Sequence, residues 1–264
     1  MGWWGKLVGG AFGFALGGPL GAVLGAALGH GLDRGLGTAD ADPPTGEGER
    51  ERVQAAFFAA TFAVMGRVAK ADGRVSPDEI RLAEAVIARM DASPELRRAA
   101  IDLFNQGKDP AFPLDEALGQ FRHEVHRRHT LVQMFVEIQI QAALADGRID
   151  AREEAVLLHV CRTLGVPEFI FRRLAERLQA ERQTAGSRAR PASGGTLAEA
   201  YAILGVSPED DAATIRKAYR RLMSQHHPDK LVSRGLPEEM MRLAAEQTHA
   251  IRQAYERVRA ARGL

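Results

Sequence analysis

Residues 215–230 read IRKAYRRLMSQHHPDK, and the way this stretch divides decides the architecture of the C-terminal part of the chain. Ile215, Ala218, Tyr219 and Leu222 fall at i, i+3, i+4 and i+7, one face of an α-helix. Asp210 or Asp211 caps the start of that helix, and Pro228, which has no N–H to donate, breaks it. The remaining positions carry Arg216, Lys217, Arg220 and Arg221; with Lys230 these are five basic residues against one acid, Asp229. A second apolar series, Met241, Ala244, Thr248, Ile251, Tyr255 and Val258, predicts a long helix from about Glu238. A short helix over Leu197–Leu204, stopped by Gly205, precedes both. Two long antiparallel helices would bury their stripes together, with Tyr201 and Leu204 beneath.

Upstream, the sequence is helical almost without interruption from Val53. Phe57, Phe58, Thr61, Phe62, Met65 and Val68 form one apolar face, and similar patterns cover 77–90, 94–105, 113–127, 130–145, 151–164 and 168–180. Residues 70–79, KADGRVSPDE, echo 144–153, LADGRIDARE, at an offset of 74. Gly73 and Gly147 suit the left-handed turn that ends a helix. Ser76 with Glu79, and Asp150 with Glu153, form capping boxes for the helices that follow. A calcium loop beginning at Asp72 is excluded, because Arg74 and Ala83 stand where its third and twelfth ligands belong. Polar segments without apolar period flank this region at 33–52 and 181–196, and read as linkers, the second of which would let the C-terminal segment move.

The N-terminus is of another kind. No charge occurs from Leu7 to Gly29, and a helix over 7–32 is long enough for a bilayer core of about 30 Å. Gly9, Gly13, Gly17, Gly21, Gly25 and Gly29 recur every fourth residue, a spacing that lets membrane helices approach backbone to backbone, so pairing into a homodimer is expected. The stripe drifts by about 40° per step, which limits such contact to a few turns. The run is too long for a signal peptide and is followed by His30, Asp33 and Arg34. Trp3 and Trp4 sit at the interfacial position in the short tail 1–6. Lys6 on one side against Arg34, Arg50 and Arg52 on the other places the C-terminal bulk in the cytoplasm.

Composition sets the outer limits. The chain has 264 residues, with 35 Lys and Arg against 34 Asp and Glu, so no global charge favours nucleic acid as a partner. One cysteine, Cys161, excludes an internal disulfide and any zinc site built from cysteine pairs. No phosphate-binding loop, zincin or nucleophile-elbow signature occurs, and no cofactor is expected. His226 and His227 are adjacent and point apart, which argues against a metal pair.

Two resemblances add to this reading. Residues 53–180, through the repeated Ala-Asp-Gly-Arg turn with its capped helix, resemble the TerB-like helical fold, some members of which are thought to bind metal. Residues 197–264 resemble the J domain of DnaJ-type co-chaperones. The matching pieces are Tyr201 with Leu204-Gly205-Val206, the helix Ile215–Leu222, His227-Pro228-Asp229-Lys230, and Ile251 with Ala254-Tyr255-Glu256. The glycine-rich and cysteine-rich segments of the best-known DnaJ proteins do not follow. An all-α chain with a membrane span, a TerB-like domain and a C-terminal J domain looks like a membrane-anchored DnaJ-type co-chaperone of the bacterial inner membrane. The resemblance implies a DnaK-type chaperone as partner. Arg216, Lys217, Tyr219, Arg220 and Lys230 would dock on it, and His227, Pro228 and Asp229 would form the loop that stimulates its ATP hydrolysis. The chain would then be an activator and not itself an enzyme. The alternative is a metal-linked stress or sensing protein that works through the TerB-like domain and uses the J module to recruit help.

Overall fold

The computed structural model describes residues 46–71, 84, 86–88, 93–144, 147–187, 196–237 and 240–263. The tail 1–6, the glycine-rich span at 7–32, the first Asp-Gly-Arg turn with Asp72, and Asp146 in the second lie outside the described residues. Among the described residues every regular element is helical, and no helix is long and apolar enough to cross a membrane.

The first helix, α1 (Gly46–Ala69), is the axis of the TerB-like domain. Every residue from Ala56 to Gly66 is buried, so the six-residue apolar face read from the sequence is only part of what this helix hides. Helices α2 (Pro94–Gly107), α3 (Leu114–Glu124), α4 (His129–Ala143) and α5 (Ala151–Leu164) all pack on it. Phe57 meets Phe121 and Phe135 edge-on, with ring centroids 5.9 and 6.0 Å apart, and Phe121 lies 4.6 Å from Phe135. Aromatic groups in such geometry add about 0.5–1.5 kcal/mol per pair beyond their buried area. Helix α2 crosses α1 so closely that a Cβ on Gly107 would stand 1.8 Å from the Ala63 carbonyl oxygen.

Local chemistry follows the sequence where it is described. Asp150 accepts from the backbone N–H groups of Arg152 and Glu153, and Glu153 accepts from the N–H of Asp150 at 2.9 Å, closing the box that starts α5. Gly147 takes a φ of +107°. Both linker boundaries move. Helix α1 begins at Gly46, inside the segment expected to be irregular, because Glu49 pairs with Arg128 and Arg52 with Glu124, tying that turn to the domain. Helix α6 (Glu168–Ser187) likewise runs seven residues past 180, through good helix formers such as Gln183 and Ala185.

The J module is built from α7 (Leu197–Leu204), α8 (Ala212–Gln225), α9 (Pro228–Val232) and α10 (Met241–Arg262). Thr196 and Glu199 close a capping box on α7, and Gly205 ends it with a left-handed φ of +64°. Asp211 caps α8 through the N–H of Thr214. Arg262, at the end of α10, donates to the Asp210 carbonyl at the start of α8, as an antiparallel pair requires. Ile215 and Leu222 from α8 join Ile251, Ala254 and Val258 from α10 over Tyr201, Ile203 and Leu204.

Three expectations change here. Pro228 breaks α8, but it also starts the short helix α9, at whose first position a missing N–H costs nothing. Met241 is exposed, while Leu243, Ala244 and Gln247 are buried. The beginning of α10 faces the TerB-like domain and not α8, so its apolar register is set by a different neighbour. The C-terminal segment, expected to move on its linker, is packed against the rest. Leu231, Leu236, Met240, Leu243 and Ala244 belong to the TerB-like core, and Ala180 of α6 belongs to the J-module core.

Candidate functional site

The residues singled out in the sequence divide by exposure. Arg216, Lys217, Arg220 and Arg221 all point to solvent along one side of α8, and Tyr219 is half-buried. The Tyr219 ring stacks on Tyr255 of α10 with centroids 4.1 Å apart and planes at 12°. That stack holds the middle of the basic face against the partner helix. Arg220 donates from Nε to the Arg216 carbonyl at 3.4 Å, so it lies along the helix. At the end of α8, Lys230 Nζ donates to Ser224 Oγ at 2.8 Å, which folds the loop back onto the helix and brings a fifth cation to the same face.

His227 and Asp229 occupy the tip. Their side chains are 48% and 85% exposed, and His227 Nδ1 lies 4.0 Å from Asp229 Oδ2, at the limit of an ion pair. Pro228 between them opens α9, so the tip is a helix start whose φ is held by the ring. The structure therefore brings together all eight residues expected from 216–230: a basic ridge, an aromatic stack beneath it, and at its end a three-residue tip in which His227 and Asp229 are exposed. Among the described residues no group of three or more His, Cys, Asp or Glu side chains is placed to hold a metal ion.

Sequence reasoning missed what lies underneath. His226, one residue before the tip, is only 2% exposed. Arg177 Nη1 of α6 lies 3.3 Å from its Nε2, and Glu137 Oε2 of α4 lies 3.4 Å from its Nδ1. Arg177 also bonds Glu137 at 2.7 Å, and Gln133 donates to Glu137 at 2.9 Å. Burial pushes the Glu137 carboxyl up, but Arg177, His226 and Gln133 outweigh it and hold the group below the usual carboxylate range. Burial pulls the His226 imidazole below its usual value; Glu137 opposes this and Arg177 adds to it. Nearby Glu181, 3.7 Å from Arg177, is pushed up to about 7 by burial despite that cation, with Glu137 adding to the rise.

The comparisons with known proteins match three successive parts of the chain. Residues 58–176 match the model for tellurite resistance protein TerB, and residues 199–260 match the DnaJ domain. Residues 1–40 match the transmembrane domain of co-chaperone DjlA. The chain is 43% identical over 225 residues to co-chaperone protein DjlA of Escherichia coli O157:H7, covering 82% of this chain and 83% of that protein. It belongs to the DjlA co-chaperone family. The DjlA protein of Coxiella burnetii is 44% identical over 216 residues, with 81% and 80% covered, and that of Photorhabdus laumondii is 41% identical over 221, with 80% and 81% covered. No solved structure matches. DjlA membership makes this a J-domain co-chaperone with a membrane-anchor domain, in the order expected: anchor, TerB-like domain, J domain.

Proposed function

We propose that the J module docks through Arg216, Lys217, Tyr219, Arg220 and Lys230 on a DnaK-type chaperone, and that His227, Pro228 and Asp229 stimulate its ATP hydrolysis. The observation that carries this reading is the selective exposure of one side. The basic ridge and the tip face solvent although the opposite side of the same module is packed against another domain. Five cations on one ridge attract an acidic surface over about a Debye length of 8 Å, and the tip stands at the end of that ridge. The nucleotide and its catalytic groups belong to the partner; this chain contributes a docking surface.

The membrane part of the reading rests on the match of residues 1–40 and on the uncharged run from Leu7 to Gly29. We place the helix across the inner membrane in a single pass, with the TerB-like and J domains in the cytoplasm. Gly9, Gly13, Gly17, Gly21, Gly25 and Gly29 would serve as the surface on which two copies pair. Replacing Gly17 and Gly21 with Leu tests the pairing: the double variant should run as a monomer in detergent, and an unchanged dimer would contradict it. The docking reading is tested by ATP turnover of a DnaK-type chaperone with increasing amounts of the full chain. Acceleration that saturates is expected; no acceleration at any concentration would overturn the proposal.

A further inference from the structure

We propose that the TerB-like domain is the seat of the His-Pro-Asp loop, and that Glu137, Arg177 and His226 are positioning residues that set its geometry. The inference rests on the DnaK reading above and adds a working role for the central domain.

The loop 227–230 is anchored on both sides. On its N-terminal side, the His226 ring is gripped between Arg177 and Glu137, the first from α6 and the second from α4. On its C-terminal side, Leu231, Leu236 and Met240 are completely buried, in the core that α1 and α4 help to form. Gly235 lies flat on Val53 of α1 with a φ of +104°, and a Cβ there would stand 2.5 Å from Val53 Cγ1. Gln54 donates to the Leu236 carbonyl at 3.5 Å, Arg234 bonds Thr130, and Arg242 donates to the Ala88 carbonyl at 2.7 Å. Farther along, Arg173 of α6 donates to the Gly205 carbonyl at 2.9 Å. The exposed tip is thus a span of four residues between two fixed points on one foreign surface.

An occluding role for this interface does not fit the geometry, since His227, Asp229 and the cations of α8 all remain exposed. A purely stabilising role is also a poor account of the ion cluster. A buried pair such as Arg177 with Glu137 seldom adds net stability over apolar residues of the same volume, and its best-attested use is to fix register. The apolar contacts supply the adhesion. Leu231, Leu236, Met240 and Leu243 do so by burying their side chains in the TerB-like core. What the cluster adds is direction: with His226 Nε2 against the Arg177 guanidinium and Nδ1 3.4 Å from Glu137 Oε2, the buried ring fixes the backbone entering Pro228.

The test uses the full chain and four variants. Glu137→Gln and Arg177→Met loosen the grip on His226 from the TerB-like side. Gly235→Leu lifts the downstream anchor off Val53 and leaves the ion cluster untouched, so it carries the test if the other two fail to fold. Arg177→Lys is the conservative control. Amide hydrogen exchange over 226–237 is compared with α1 and α4, and stimulated ATP turnover of the DnaK-type chaperone is titrated. Exchange over 226–237 should rise about tenfold while α1 and α4 stay protected. Maximal stimulation should fall about fivefold with a nearly unchanged half-saturating concentration, because the docking ridge is intact, and Arg177→Lys should restore part of it. Unchanged exchange overturns the inference, and so does a loosened loop with undiminished maximal stimulation. If the unmodified chain gives no stimulation, the DnaK reading fails, and the exchange measurement alone decides whether the seat exists.

Discussion

His226 and His227 are neighbours in the chain and differ in everything else. One ring lies between an arginine and a glutamate of another domain; the other is half exposed at a loop tip. The same contrast runs along the whole J module. Its solvent side carries Arg216, Lys217, Arg220 and Lys230, while its other side places Leu231, Leu236, Met240 and Leu243 in the TerB-like core. A free J domain would have to cover those four residues some other way. The contrast teaches that one side of the module is available for a partner because the other already has one within the chain.

The contrast breaks most severely if the buried side is damaged. Glu137→Ala removes the carboxylate closest to the buried Arg177 guanidinium, and removing one partner of such a pair costs about 3–5 kcal/mol. A fall of that order in the urea-unfolding free energy of the full chain is expected, and a loss under 1 kcal/mol would show that water reaches the site. On the solvent side the expected effect is on docking and not on folding. Lys217→Glu combined with Arg220→Glu should raise the half-saturating concentration for a DnaK-type chaperone by roughly tenfold and weaken its salt dependence, with stability nearly unchanged. A like effect from charge reversal on the far side of the module would remove the ridge's special status.

Smaller effects sharpen the comparison. Tyr219→Leu removes the stack on Tyr255 and should cost about 0.5–1.5 kcal/mol. Asp150→Ala, remote from both sides, should cost about 1 kcal/mol by thermal unfolding and leave stimulation as it was. The smallest effect concerns pH. The folded chain holds His226 below its usual value near 6.5, so the unfolded chain gains a proton there that the fold refuses, and stability is lost as pH falls through about 6.5. Glu181, raised to about 7, keeps a proton that the unfolded chain releases near 4.5, so stability is lost as pH rises between those values. The two slopes oppose each other over about pH 5 to 6.5. Glu181→Gln should leave the His226 slope alone, and urea midpoints should then drop on acidification; a flat profile would contradict the assignment.

The all-helical architecture was legible in the sequence because amphipathic spacing and caps are local. Asp211, Asp150 with Glu153, and Gly205 do what their positions imply. The basic ridge was legible for the same reason: i, i+3, i+4 spacing of Ile215, Ala218 and Leu222 leaves the arginines no place but outside. The seat was not legible. A buried stripe says that a residue is covered and not by what: the spacing puts Met241 inside with Ala244, whereas Ala244 is buried with Leu243, against a different domain, and Met241 is exposed. Glu137, Arg177 and His226 lie far apart in the chain, and each taken singly reads as an ordinary polar residue on a helix or at its end. The one available signal was the apolar content of Leu231 and Leu236 between the two predicted helices.

The central claim is that the exposed tip acts on a DnaK-type chaperone while the buried side only holds it. Its most direct test is ATP turnover of that chaperone with saturating full chain, unmodified and as His227→Gln. The account predicts that the variant unfolds at the same temperature as the unmodified chain and gives no more than background turnover. Stimulation equal to that of the unmodified chain would contradict it.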